Sequence, residues 1–233
     1  MYLYFSPFMI FCILISIIAE IGVKSAFNRY SRVMSQRGYT AEQVARMILD
    51  RNNLHHVRIE YTHGHLTDHY DPRAGVIRLS QNVAGSSSVA AIGVAAHECG
   101  HAVQHAEEYQ PLVFRNAIVK STNLCSRLSF LLILIGIFIT YVTAEISPVS
   151  SLFFTLGIIA FSVTTFFQLV TLPVEFNASR RAMATIESLG VLNETEQDGA
   201  RKVLKAAAMT YVAALVVSVL QLLRLIAIFR RRD

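Results

Sequence analysis

A chain of 233 residues with 53% hydrophobic and only 16% charged side chains, and a mean hydropathy of +0.44, is more apolar than an ordinary soluble domain. The apolar residues are clumped in long runs instead of spread at core periodicity, which predicts a mainly helical, polytopic membrane protein with the lipid bilayer as its first partner. The formal charge of +5 does not point to nucleic acid, because Lys and Arg gather beside the apolar runs with no basic stripe interleaved with aromatics.

The first run, Leu3 to Val23, has no basic residue before it and no small-residue cleavage site after it. It reads as a retained transmembrane anchor (3–23) and not a signal peptide. The one long polar region follows, 24–127, and is the predicted catalytic region. In it, Thr40 is placed to cap a helix over TAEQVARMILDRNNL, with Glu42 and Gln43 in the first turn. VRIEYT, the turn-rich HGHLTDHYDPRAG and VIRLS then read as strand, link and strand, predicting a small antiparallel sheet. Ser86 to Ser88 offer caps for a helix through VAAIGVAAHECGHAVQH, whose small residues allow close packing and predict burial.

Leu128–Ile146 and Ser150–Leu172 are separated by Ser147-Pro148-Val149, so 128–172 is expected to be a transmembrane hairpin. Pro173 is expected to start a new helix, VEFNASRRAMATIESLG, closing at Gly190, within a segment (173–205) that carries a candidate ligand. The last apolar run, Ala206 to Leu223, predicts a C-terminal span over 206–229, followed by the basic tail FRRRD. Three cysteines, Cys12, Cys99 and Cys125, are an odd count and imply no disulfide framework.

The chemistry is concentrated in VAAHECGHAVQH, Val94 to His105. His97 and His101 are four apart, so on a helix both imidazoles leave one face and can meet one tetrahedral zinc ion. Glu98 follows the first histidine, where it can reach water at that ion without ligating it. A buried Ala-rich helix gains nothing from two histidines without partners, since an unsatisfied buried polar group costs about 1–3 kcal/mol.

A catalytic zinc site needs a third protein ligand and an open position. A hairpin that crosses the membrane twice returns the chain to the side of His97 and His101, which makes Glu175 the candidate and puts Ser179 on its face. The plainer reading of Glu175 is a first-turn carboxylate favoured by the helix dipole. His105 is expected to be a supporting polar residue or a solvated helix end, and Cys99 a small buried residue pointing away from the ligand face. The histidines His55, His56, His63, His65 and His69 read chiefly as polar loop residues, with a second metal site as the alternative. His69, Tyr70 and Arg180 are three candidates for an oxyanion donor, among which the sequence does not choose.

AAHECGHAVQH, preceded by DHYDPRAGVIRLS and followed by a hydrophobic hairpin and PVEFNASRRA, resembles the YugP-like neutral zinc metallopeptidases of bacterial membranes over nearly the whole chain. More distantly it is similar to the HtpX and CAAX prenyl protease type, in which a hairpin also separates the histidine helix from a glutamate ligand. There the glutamate is typically followed by x-x-Ala-Asp, whereas Phe176-Asn177-Ala178-Ser179 follows Glu175 here. The departure weakens a supporting carboxylate carried over to position 179 and leaves Glu175 intact.

The resemblance implies a small α+β zincin-like catalytic region and one Zn2+ per chain, held by His97, His101 and Glu175. It also implies hydrolysis of protein or peptide substrates, membrane or misfolded proteins among them, with Glu98 as acid and base. The segment Gly75 to Ser80 is an expected edge strand that pairs with an extended substrate, against a purely structural strand.

Flanking charge predicts a bacterial plasma membrane protein with its catalytic side cytoplasmic. Lys24, Arg29, Arg32, Arg37, Lys120, Arg127, Arg180, Arg181, Arg201, Lys202 and Lys205 share the motif's side, and the hairpin tip has no basic residue. Two other classes compete. A metal transporter or sensor is disfavoured because no run carries a His, Asp or Cys cluster at its middle. A non-catalytic zinc-binding scaffold is disfavoured because a structural site fills four positions and has no use for an adjacent base.

Overall fold

The computed structural model describes residues 7–64 and 67–230. The start of the first apolar run (3–6), His65 and the end of the basic tail (231–233) lie outside the described residues. In chain order the elements are α1 (Pro7–Tyr30), α2 (Ala41–Arg51), β1 (Arg58–Thr62), β2 (His69–Asp71), β3 (Val76–Ser80), α3 (Gln81–Ala84), α4 (Val89–Ala106), α5 (Gln110–Thr143), α6 (Pro148–Leu189) and α7 (Glu194–Arg230). The protein is mainly helical, and α1, α5, α6 and α7 are long and apolar enough to cross a membrane.

The chain divides into two compact units. One comprises the chain up to Ser16, Phe114–Leu172 and the chain from Tyr211 onward. Within it the hairpin turns where the sequence expects: Ser147 Oγ accepts the Ser150 N–H at 3.2 Å, with Pro148 at the first helical position, where its missing N–H costs nothing. Small residues let α5 and α6 approach closely. Ser129 Oγ donates to the Gly157 carbonyl at 3.0 Å, and a Cβ on Gly157 would lie 2.7 Å from the Ile133 side chain.

The other unit comprises Ile17–Val113 and Pro173–Thr210. Thr40 and Gln43 form a reciprocal capping box at the start of α2, whose buried Val44, Ala45, Ile48 and Leu49 join the core around α4. Ile48, Leu49, Ile77, Leu79, Ile92 and Ile186 are almost completely buried, each contributing about 1.5–3 kcal/mol by leaving water. On α6 the buried residues Val174, Ala178, Ala182 and Ile186 recur every four positions, giving that half of the helix an apolar stripe toward this core.

Three local expectations are corrected. The sheet is mixed and not antiparallel: its order is β1-β3-β2, with β1 parallel to β3 and β2 antiparallel to it. The link contains a strand of its own, and Asp71 Oδ1 accepts the N–H groups of Arg73 and Ala74, reversing the chain once more before Gly75 at φ +62. Consequently β3 is central and both its edges are taken, so the 75–80 segment is not an edge strand. Pro173 does not start a helix either: α6 runs through it. Proline is compatible with helical φ and removes one backbone bond, while the buried stripe from Val174 onward keeps the helix going. The chain breaks instead at Gly190, φ +60, and α7 starts with Asn193 and Glu196 exchanging capping bonds.

Candidate metal centre

Every side chain of this centre belongs to the second unit. Helix α4 begins where Ser88 Oγ accepts the Ala91 N–H at 3.3 Å. Its small residues bring it close to the later half of α6, and Gly100 is the tightest point. A Cβ there would lie 2.6 Å from the Ala178 carbonyl oxygen, so only glycine lets the α4 backbone reach the turn that carries Glu175.

That approach brings three predicted side chains together. His97 Nε2 lies 3.3 Å and His101 Nε2 3.6 Å from Glu175 Oε2, and one ligand atom from each residue falls within 4.8 Å of the others. The donor set fits zinc. With bonds of about 2.0–2.1 Å, tetrahedral ligands stand about 3.3–3.4 Å apart, close to both nitrogen–oxygen separations. Two imidazoles and one carboxylate leave a fourth position open, as in catalytic rather than structural sites. Among the described residues this is where three potential ligand atoms converge. His55 instead contacts Asp50 at 2.9 Å, and His69 contacts the Thr67 carbonyl at 2.8 Å.

Glu98 is 9% exposed, and its Oε2 accepts the Tyr70 backbone N–H at 3.0 Å. Burial pushes its carboxyl above the usual range; His97 and His101 oppose this and Glu175 adds to it. For His101, burial disfavours the imidazolium, but the carboxylates of Glu175 and Glu98 outweigh it and raise the imidazole. Cys99 is fully buried with its thiol pushed up, burial being the main cause, and it donates to the Ala45 carbonyl, away from this face.

The outer partners differ. Ser179 Oγ sits 3.2 Å from His97 Nδ1, so a hydroxyl contacts His97 at the position where the resemblance left a supporting carboxylate in doubt. On the other histidine, Nδ1 meets Gln104 Oε1 at 3.0 Å. Sequence reasoning passed over Gln104; the available signal was an amide on a small-residue helix expected to be buried, where it must find partners. Of the three oxyanion candidates, His69 and Arg180 are exposed and Tyr70 is half-buried. The Tyr70 hydroxyl also contacts His105 Nδ1 at 2.9 Å.

A family described as "Putative neutral zinc metallopeptidase" matches residues 5–230. The chain is 47% identical over 211 residues to the "Putative membrane protease YugP" of Bacillus subtilis (strain 168), covering 91% of this chain and 90% of that protein. No solved structure matches. A His97-Glu98-x-x-His101 helix, a hairpin, a converging Glu175 and a family match along almost the full length lead to one conclusion: the chain belongs to the neutral zinc metallopeptidase family.

Proposed function

We propose that this protein is a membrane-embedded, zinc-dependent endopeptidase in which His97, His101 and Glu175 hold one Zn2+ and Glu98 is the general base. The observation that carries the reading is the convergence of two imidazole nitrogens and a buried carboxylate within 4.8 Å, with a second carboxylate, Glu98, beside them that is not part of the donor set. Bound zinc supplies Lewis-acid polarisation of the scissile carbonyl and brings the pKa of water to about 7.

The chain's own residues do the rest. Glu98 takes the proton of the attacking water and returns it to the leaving amine. Burial raises its carboxyl above the usual carboxylate range, the direction that helps it hold the proton between the two steps. The backbone of Tyr70 orients that carboxylate. Edge strand β2 brings Tyr70 to the site, so the outer edge of β2 is where an extended peptide would lie. The site faces the cytoplasm, in keeping with the basic residues in its flanking segments, and its substrates are membrane or misfolded proteins.

The test is metal content and casein-type proteolysis, measured side by side on detergent-purified wild type and Glu98→Gln. The expected result is zinc near one per chain in both and cleavage by the wild type alone. A wild type that purifies without zinc and binds none on addition rejects the reading.

A further inference from the structure

Gln104 is completely buried, and both its amide nitrogen and its amide oxygen have partners. Its Nε2 donates to the Val174 carbonyl at 2.9 Å and to Asn177 Oδ1 at 2.9 Å, while its Oε1 faces His101 Nδ1 at 3.0 Å. The orientation of that amide is fixed by its neighbours. A backbone carbonyl can only accept, so the group facing Val174 must be the NH2. Asn177 adds an independent constraint: the Arg181 guanidinium, which can only donate, reaches Asn177 Oδ1 at 2.7 Å, so the same oxygen faces Gln104. Turning the amide over would set an oxygen against two oxygens in a site without water access.

With Oε1 locked toward His101, the imidazole must carry a proton on Nδ1, so that Nε2, 3.6 Å from Glu175 Oε2, is the nitrogen left to ligate a metal. Ser179 cannot do the same for His97, because a hydroxyl both donates and accepts and so selects neither tautomer. Gln104 also joins the two helices that supply the donor set. Its side chain starts three residues after His101 on α4 and ends on the α6 residues flanking Glu175.

We propose that Gln104 is the positioning residue of the metal centre: its buried amide fixes the His101 tautomer and clamps the Glu175 turn of α6 to α4, so that the donor set is in place before zinc arrives. This deepens the reading of the site as a zinc centre and rests on it. Gln104 touches neither substrate nor the donor atoms that face Glu175, and it acts through His101.

Two measurements on the full chain in detergent test it. The first needs no variant: in wild type labelled with 15N-histidine, without added zinc and at alkaline pH, the His101 signals, assigned by their loss in His101→Ala, report the tautomer. The expected form is Nδ1–H; an Nε2–H form overturns the proposal. The second is zinc affinity by competition with a chelating dye. Gln104→Met keeps the volume and removes the bonds, and it is expected to weaken zinc binding about 10–100-fold, the range for partners of ligating histidines. Ser179→Ala should change it by only a few-fold. Wild-type affinity in Gln104→Met, with zinc bound normally by the wild type, overturns this proposal and leaves the zinc reading standing. A wild type that binds no zinc at all defeats both, while the tautomer still reads the amide lock separately.

Discussion

The backbone N–H of Tyr70 on β2 donates to the side-chain Oε2 of Glu98 on α4 at 3.0 Å. A strand edge therefore holds the proposed base in place, and the hold depends on the length of the side chain. Glu98→Asp keeps the charge and leaves the donor set untouched but withdraws the carboxylate by one methylene. We expect zinc content unchanged and kcat/KM lower by on the order of 10²-fold, the cost of about 1 Å of misplacement at a reacting group. Proteolysis assayed beside metal analysis checks this; wild-type turnover in Glu98→Asp would show that the Tyr70 contact does not matter for catalysis.

Among the three oxyanion candidates we expect Tyr70 to supply the donor. It is half-buried, its backbone is bonded to Glu98, and its hydroxyl lies against His105, whereas His69 and Arg180 are exposed. Tyr70→Phe removes only the hydroxyl. Loss of one oxyanion donor costs about 10²–10³ in kcat, and a drop of that size with unchanged zinc content and KM is the expected outcome. Arg180→Ala should stay within a few-fold of wild type, and the reverse pattern would move the assignment from Tyr70 to Arg180.

Gly100 and Gly93 lie seven residues apart on α4 and predict opposite results on substitution by alanine. A Cβ at Gly100 would meet the Ala178 carbonyl at 2.6 Å, and backbone cannot step aside without moving the turn that carries Glu175. Gly100→Ala is expected to lose about 1–3 kcal/mol, as overpacking does, and to weaken zinc binding with it. At Gly93 the nearest atom is the Ala200 Cβ at 3.6 Å, an ordinary contact, so Gly93→Ala should be neutral or gain up to about 1 kcal/mol from helix propensity. Thermal unfolding in one detergent, with chelator competition on the same samples, compares the pair; equal loss at both sites would mean that helix α4 tolerates no added methyl at all.

How much of this was legible in the sequence depends on how local the determinant is. The pairing of His97 with His101 follows from helix periodicity alone, and the short hairpin link with its Ser147-Pro148 start is a local capping signal. Glu175 was found by counting membrane crossings, a topological argument that needs no contact. That VRIEYT and VIRLS share a sheet was legible, but their parallel direction was not, because it depends on β2 reversing the chain between them and the three-residue β2 is too short to declare itself. The continuity of α6 through Pro173 was hidden for a similar reason: the stripe that sustains it becomes visible only against α4. Gln104 shows the limit most clearly, since its identity hints at buried partners but only packing reveals that they are His101, Val174 and Asn177.

The last prediction concerns the sidedness of the membrane crossing. Helix α7 is continuous from Glu194 to Arg230, and the 18 residues from Ala206 to Leu223 rise about 27 Å at 1.5 Å each, close to the roughly 30 Å hydrocarbon core. A crossing by α7 makes four spans among the described residues, so the C-terminus would emerge opposite the segments that carry the donor residues. The charge rule pulls the other way there, because three arginines lie at 230–232. Eleven basic residues flank the spans on the donor side, and we expect that excess to set the orientation. A small epitope tag after Asp233 in intact spheroplasts should then be removed by added protease, while a tag placed in the β2–β3 turn at Arg73 should survive until the membrane is broken. Protection of both tags would leave α7 on one face of the membrane and reduce the spans to three.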